Sequence, residues 1–452
     1  MMNPAGATTS EPVDSRRVGW AAIALVVIVL VSRWPFLEAG YGSNIDAWRV
    51  AWTARHIAAS GEYVVSRFPG YPLHEYACAL VARGGPTALN GLSAVASALA
   101  ALFFYWYLRL VRSPVAWLSA LTLAFVPVVF VNSTSAKDYL AALACLIAAL
   151  VAAGKRRAIL AGILLGAATG FRPASIVLGL PLVLILIKDD DDFRGQLRLF
   201  ARFAVASCVM ALGAFAPVML RYGWSFVRAY PHEEPWSNAL RNATTGSLGA
   251  LGCVGLLVAI AAAIAVRGRG REPRVTRNQI IAWASGVIVV GAVFAAIPHQ
   301  AGYLIPAFPF LILLLGQFAP RWAVLTFCGL TILSSFVDFD RGGLKSGAIF
   351  TDRALRLEQM AATEAFVVES AKFPGAVVFV VGGRHALVSV LHPELVGSGE
   401  HQFAYLLGRH EAEDLVRRGY RIVCSEDVRQ ANILFREVDL AEFGAVVYDA
   451  KP

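Results

Sequence analysis

Apolar residues run along this chain in long blocks, not in the alternating or every-third-or-fourth pattern of a half-buried surface. Blocks at 19–37, 87–108, 115–131, 139–153, 200–220, 248–266, 280–297, 303–318 and 322–337 are each close to the length a helix needs to cross hydrocarbon, about 20 residues. Each therefore predicts a membrane-spanning helix. The block at 158–187 is longer and is interrupted by Gly170-Phe171-Arg172-Pro173. One continuous helix there would bury Arg172 near mid-membrane, whereas a turn at Arg172-Pro173 divides it into two short helices.

The basic residues choose between these. With two short helices at 158–187 and the N-terminus inside, four clusters share one side: Arg109 with Arg112, Lys155-Arg156-Arg157, Lys188 with Arg194 and Arg198, and Arg267 with Arg269, Arg271, Arg274 and Arg277. Positive charge gathers on the cytoplasmic side of membrane proteins. The prediction is an all-α polytopic membrane protein of about 11 transmembrane helices. Residues 1–18 form a disordered cytoplasmic N-terminus, 19–337 the transmembrane domain and 38–86 a long first extracytoplasmic loop. The first apolar run lacks a following small-x-small cleavage site and reads as a retained helix. Past 338 the pattern changes. Amphipathic stretches at 354–371 and 411–418 alternate with strand-like runs at 377–381, 421–424 and 445–448, which predicts a small extracytoplasmic α/β domain over 338–452.

Composition agrees with the membrane class: 57% of residues are hydrophobic and 16% charged, with a mean hydropathy of +0.60, against roughly a quarter charged in soluble chains. The net charge of +9 is spread over loops between apolar runs, which excludes a nucleic-acid-binding face. The six cysteines show no paired or metal-type spacing and read as small packing residues.

Two short outer turns carry cations at the membrane boundary, Lys137 beside Asp138 and Arg172, where an ionisable group is costly unless paired. Such groups are either functional or structural ion pairs. The first loop adds Tyr41-Gly-Ser-Asn-Ile-Asp46-Ala-Trp48-Arg49 and Ser66-Arg67-Phe-Pro-Gly-Tyr-Pro-Leu-His74-Glu75. Between them Trp48, Ala51, Trp52 and Ile57 are placed on one face of a helix lying along the membrane surface.

These motifs carry a resemblance. An acid soon after the first helix, Arg-x-Pro-Gly-x-Pro before the second, a Lys-Asp pair opening the fourth, Gly-x-x-x-Gly-x-Arg-Pro in a hairpin, and His299-Gln-Ala-Gly-Tyr303-Leu-Ile-Pro follow one another in order. The order resembles that of the C-type membrane glycosyltransferases, whose members include protein O-mannosyltransferases and the lipid A aminoarabinose transferases. The likeness covers residues 19–337. It implies an inverting hexosyl- or pentosyltransferase in the cell (inner or plasma) membrane. Such an enzyme takes its sugar from a polyprenyl-phosphate or diphosphate donor and passes it to a lipid, glycan or protein acceptor on the extracytoplasmic face. Where many members have two adjacent acids in the first loop, here Asn44 and Ile45 precede a lone Asp46, which leaves a divalent cation (Mg or Mn) at Asp46 and Asp138 open.

Displacing a polyprenyl phosphate needs a base for the acceptor proton and cations for the departing phosphate. Asp46 is assigned as base, against the alternative of a helix cap. Arg67, Lys137, Arg172 and His299 form the expected phosphate set, His299 equally reading as an interface histidine and Tyr303 as either a phosphate donor or an aromatic-belt residue. Asp138 is expected to hold Lys137, bind the sugar or take a metal. His74, Glu75 and Arg49 are further substrate-binding candidates. From another class, a secondary transporter would show related halves and mid-membrane broken helices. A ligase or polymerase of lipid-linked glycans is the third reading.

Overall fold

The computed structural model describes residues 15–187, 192–224, 236–266, 275–340, 342–396, 399–436 and 438–448. The expectations for 1–14, Lys188, Arg267, Arg269, Arg271, Arg274 and 449–452 fall outside them.

The apolar blocks form helices. In chain order these are α1 (Ser15–Arg33), then α2 (Ile45–Ser60) and α3 (Pro72–Leu80) of the first loop, α4 (Gly85–Leu110), α5 (Ala116–Phe125), α6 (Pro127–Asn132), α7 (Tyr139–Gly154), α8 (Ala158–Phe171) and α9 (Gly179–Leu186). Further on come α10 (Phe193–Tyr222), α11 (Trp236–Ala243), α12 (Thr245–Ala265), α13 (Arg277–Ala296), α14 (Phe308–Phe318) and α15 (Arg321–Ser334). Among the described residues six helical segments are long and apolar enough to cross a membrane: Arg16–Phe36, Ala82–Leu110, Phe193–Tyr222, Thr245–Ala265, Arg277–Ala296 and Ala301–Phe318. Shorter apolar helices such as Tyr139–Gly154 and Ala158–Phe171 are packed among them. The protein is a membrane protein.

The block at 158–187 does break at Arg172, which is extended (φ −151°, ψ 110°) before Pro173. Chain reversal follows, because a side chain on Gly179 would meet Leu165, as far before Arg172 as Gly179 is after it. The Gly-x-x-x-Gly spacing of α8 has a packing cause. A Cβ on Gly162 would lie 2.3 Å from the Phe203 carbonyl oxygen, on Gly166 2.6 Å from that of Ser207, and on Gly170 2.6 Å from the Ala214 Cβ. One glycine per helical turn thus lets α10 lie directly on α8, as small residues do where lipid offers no hydrophobic drive to association.

The first-loop helix differs from expectation. Trp48, Ala51 and Ile57 are buried, together with Ala47, Val50, Thr53 and Ala54, while Trp52 is exposed and stacks on His56. Nine residues separate Trp48 from Ile57, which puts them on opposite sides of an α-helix. Accordingly α2 is enclosed by protein on most sides, between α3 and a C-terminal helix, instead of resting one apolar face on lipid.

After α15, β1 (Val337–Asp340) pairs antiparallel with β2 (Gly343–Ser346), and the long α16 (Ala348–Ser370) leads into a four-stranded sheet. Its strands, β3 (Val377–Val380), β4 (His401–Ala404), β5 (Arg421–Cys424) and β6 (Val446–Val447), are parallel in the order β4-β3-β5-β6. Helices α17 (His385–Leu391), α18 (Arg409–Arg417) and α19 (Glu426–Arg436) connect them. The fully buried Val377–Val380 reads from sequence as a strand; β4 escapes because only Phe403 of its four residues is buried. The carboxyl end of the sheet meets the first loop. Gly383 faces Ile45, the Arg49 guanidinium lies 5.3 Å from the Tyr405 ring centroid, and Arg55 donates to the Val390 carbonyl (2.5 Å).

Candidate active site

The site is assembled from five segments: the start of α2, the loop before α3, the turn before α7, the turn between α8 and α9, and the turn after α13. Asn44 is the cap of α2, its extended backbone (φ −95°, ψ 137°) letting its side chain accept from the Asp46 amide at 2.8 Å. The capping alternative for Asp46 is thereby excluded. Its carboxylate faces Arg67 Nε (3.5 Å), Arg49 Nη1 (3.7 Å) and Gln300 Nε2 (3.5 Å). Burial pushes the Asp46 carboxyl up, but Arg67, Lys137 and Arg49 outweigh it and hold the group below the ordinary carboxylate range.

Arg67 is delivered by a loop wound around Glu75. The buried Glu75 carboxylate accepts from the Tyr63 hydroxyl (2.5 Å), the Ser66 amide (2.7 Å) and hydroxyl (2.6 Å), and the Tyr71 amide (3.3 Å). Burial raises its pKa despite those donors. Its acceptor capacity is spent on the loop. His74 is likewise buried, 3.6 Å from the Cys78 sulfur, with burial lowering its pKa. From this loop Arg67 bridges the two carboxylates, with Nη2 donating to Asp138 (2.9 Å) and Nε directed at Asp46, while Tyr71 lies under its guanidinium at 4.0 Å. Its remaining nitrogen, Nη1, is buried and has no hydrogen-bond partner among the described residues.

Asp138 is fully buried and pairs with Arg67 and Arg172, the latter at 2.5 Å; burial raises its pKa, and the two guanidinium groups pull it far down. The expected Asp138–Lys137 pairing is replaced: Asp138 is taken up by the two arginines, and Lys137 donates to Gln300 Oε1 (3.3 Å), which also accepts from the Tyr139 hydroxyl (3.1 Å). Burial brings Lys137 down to about 8. Arg172 lies between Tyr139 (3.9 Å) and Tyr303 (4.7 Å), cation–π contacts that each contribute roughly 0.5–2 kcal/mol. Tyr303 thus faces the cluster. Of the late motif, Gln300 makes the polar contacts just described, and His299 sits half-buried beside it in the turn.

Asp46, Arg49, Arg67, Lys137, Asp138, Arg172 and Tyr303 are therefore brought together. Gln300, Tyr139 and Tyr71 were missed by sequence reasoning, although each adjoins a residue or motif that had been marked. Four cations against two carboxylates leave two positive charges in a largely buried cluster. Such an excess is costly without an anion. A divalent cation does not fit the same place: the Arg67 guanidinium already lies between Asp46 and Asp138, and no group of three metal-type ligands occurs among the described residues.

No protein-family profile matches the sequence, and no curated protein matches it. Solved structures do. The crystal structure of ArnT from Cupriavidus metallidurans in the apo state is similar over 93% of this chain and 95% of that one, with a TM-score of 0.57 at 15% identity. The same protein bound to undecaprenyl phosphate matches over 92% of this chain and 88% of that one, with a TM-score of 0.53 at 15% identity. The chain therefore has the fold of ArnT, the C-type glycosyltransferase fold that its order of motifs resembles.

Proposed function

We propose that the protein is an inverting glycosyltransferase that takes a sugar from a polyprenyl-phosphate donor. The observation that carries this reading is the buried excess of two positive charges around Arg67, whose Nη1 is uncommitted. A phosphate fits it in charge and in donor geometry. The ArnT-like fold supports a polyprenyl phosphate as its bearer, since one of the similar structures holds undecaprenyl phosphate.

In the proposed reaction Asp46 takes the proton of the acceptor hydroxyl as its oxygen bonds to the anomeric carbon. The bond from that carbon to the phosphate oxygen breaks, and the electron pair leaves on the polyprenyl phosphate. Arg67, Lys137 and Arg172 stabilise the departing charge, the electrostatic part of the catalysis. Asp138 keeps Arg67 and Arg172 in place, and Gln300 keeps Lys137. One carboxylate suffices, because direct displacement forms no glycosyl-enzyme.

The site belongs on the extracytoplasmic face, and the five shorter apolar helices complete a count of about eleven spans. A reporter fused after Pro452 should report an extracytoplasmic location; a cytoplasmic signal overturns the topology. The function is tested with purified protein in liposomes containing a polyprenyl-phosphate sugar. Transfer to an extracted envelope acceptor, with release of polyprenyl phosphate, is expected, and donor left intact with every acceptor fraction refutes it.

A further inference from the structure

Two segments of the site, the start of α2 and the turn before α7, are gripped from outside by one helix of the C-terminal region. Arg356 of α16 is 1% exposed and donates through Nη1 to the Thr134 carbonyl (2.6 Å) and through Nη2 to the Thr134 hydroxyl (3.0 Å) and the Ser135 hydroxyl (2.9 Å). These residues precede Lys137 and Asp138 in the same turn. One helical turn before Arg356, Asp352 forms an ion pair with it and accepts from the Ser43 hydroxyl at 2.5 Å. One turn later the Gln359 amide nitrogen donates to the Ser43 carbonyl at 3.0 Å. Ser43 stands three residues before Asp46.

The two gripped segments also touch each other. The Ala136 amide donates to the Tyr41 carbonyl at 2.8 Å, and a Cβ on Gly42 would lie 3.2 Å from that of Ser135. A single backbone hydrogen bond between two irregular segments does not fix their separation, because each can pivot about it. The buried pair on α16 adds contacts on both sides of that pivot.

We infer that Asp352 and Arg356 are positioning residues. From α16 they bridge the loop that carries Asp46 to the turn that carries Lys137 and Asp138, and so set the distance between the base and the phosphate-binding cations. The inference rests on the proposed reading of those groups. Neither residue is expected to touch substrate, and the two ends of the bridge serve different steps. The Ser43 end holds the base; the Thr134–Ser135 end holds Lys137 and, through Asp138, Arg67 and Arg172.

Cutting each end separately tests this. Ser43→Ala/Gln359→Leu removes the loop-side contacts and leaves the Arg356 contacts in place. It should lower kcat roughly 10- to 100-fold, the penalty of a small misplacement of a catalytic group, with the Kd for undecaprenyl phosphate within about twofold of wild type. Arg356→Gln should weaken that binding as well as kcat, and Arg356→Lys, which keeps the charge beside Asp352 and one donor, should recover part of both. Hydrogen exchange of the purified protein without substrate gives an independent reading. Amides of residues 41–46 should exchange faster in the loop-side variant, and those of both 41–46 and 133–138 in Arg356→Gln. Wild-type exchange in both segments, or equal loss of kcat and phosphate binding in the loop-side variant, overturns the inference. If wild-type protein neither binds undecaprenyl phosphate nor transfers sugar, the functional reading fails, and the exchange measurement still decides whether the bridge exists.

Discussion

Replacing Asp46 by asparagine isolates the base from everything else in the site. The side chain keeps its size, and the cap of α2 is untouched because Asn44 supplies it. Arg67 retains Asp138 at 2.9 Å and the Arg49 side chain is partly exposed at 30%, but the cluster gains an uncompensated positive charge, so stability should fall, by up to about 3 kcal/mol. A positioned base contributes roughly 10²- to 10⁴-fold to rate, which at 1.36 kcal/mol per tenfold is about 2.7 to 5.4 kcal/mol of barrier. The expected kcat is therefore at least about 100-fold down. Binding of the lipid phosphate moves the opposite way or not at all. With Asp46 neutral, four cations face one carboxylate, so the site is more positive toward an anion. The assay pairs transfer of labelled sugar in liposomes with undecaprenyl-phosphate binding by tryptophan fluorescence. Since its cationic neighbours hold the wild-type Asp46 carboxyl below the ordinary range, the base is ionised at neutral pH. Its acid limb should then lie below the ordinary carboxylate range. Transfer by Asp46→Asn within tenfold of wild type refutes the reasoning, as does a loss of lipid-phosphate binding in proportion to the loss of rate.

Other outcomes follow from the same geometry. Lys137, brought down to about 8 by burial, is cationic below that pH and neutral above it, so phosphate binding to the free protein should weaken as pH rises through 8; Lys137→Arg, which stays charged, should abolish that limb in a binding titration. Glu75→Gln places an amide donor among the donors of Tyr63, Ser66 and Tyr71, which should cost about 1–3 kcal/mol and loosen the Arg67 loop, seen as faster exchange over 63–71 and weaker phosphate binding. Gly166→Leu must push α10 away from α8, because even a Cβ there lies 2.6 Å from a backbone oxygen, and the purified yield of folded protein should collapse; normal yield would contradict the close packing. Gly249→Ala meets both a positive φ of 68° and the Ser334 hydroxyl at 1.9 Å, and should destabilise by a few kcal/mol in a thermal melt.

Much of the architecture was legible because hydropathy acts segment by segment. A helix in lipid must satisfy its own backbone and present apolar side chains along about 20 residues, so each block announces itself without reference to the rest of the chain. Arg172-Pro173 announces the break between α8 and α9 for an equally local reason, proline's constraint on the preceding residue. The C-terminal sheet was legible where strands are buried on both faces, as in β3, and hidden at the edge strand β4. Lys137, Asp138 and Arg172 were legible as misfits, charged groups set against apolar runs, whereas Asp46 and Arg67 were marked by the first-loop motifs and their place in the order of motifs.

Their pairing was decided by tertiary structure alone. Arg67 meets Asp138 across 71 positions and Lys137 meets Gln300 across 163, whereas Lys137 and Asp138, adjacent in sequence, each bond to a different partner. Arg356 was not marked at all. It sits in an amphipathic helix that reads as ordinary surface, yet it is buried against Thr134, 222 positions earlier. Arg33 is the same case at the membrane boundary, buried between Phe125 and Phe130 and bonded to Ser133 at 3.0 Å. A charge announces that it needs a partner, but which one it receives depends on where separate helices stop in space. The sequence by itself determined which groups could not be left in lipid; the packing of the helices determined what each of them holds.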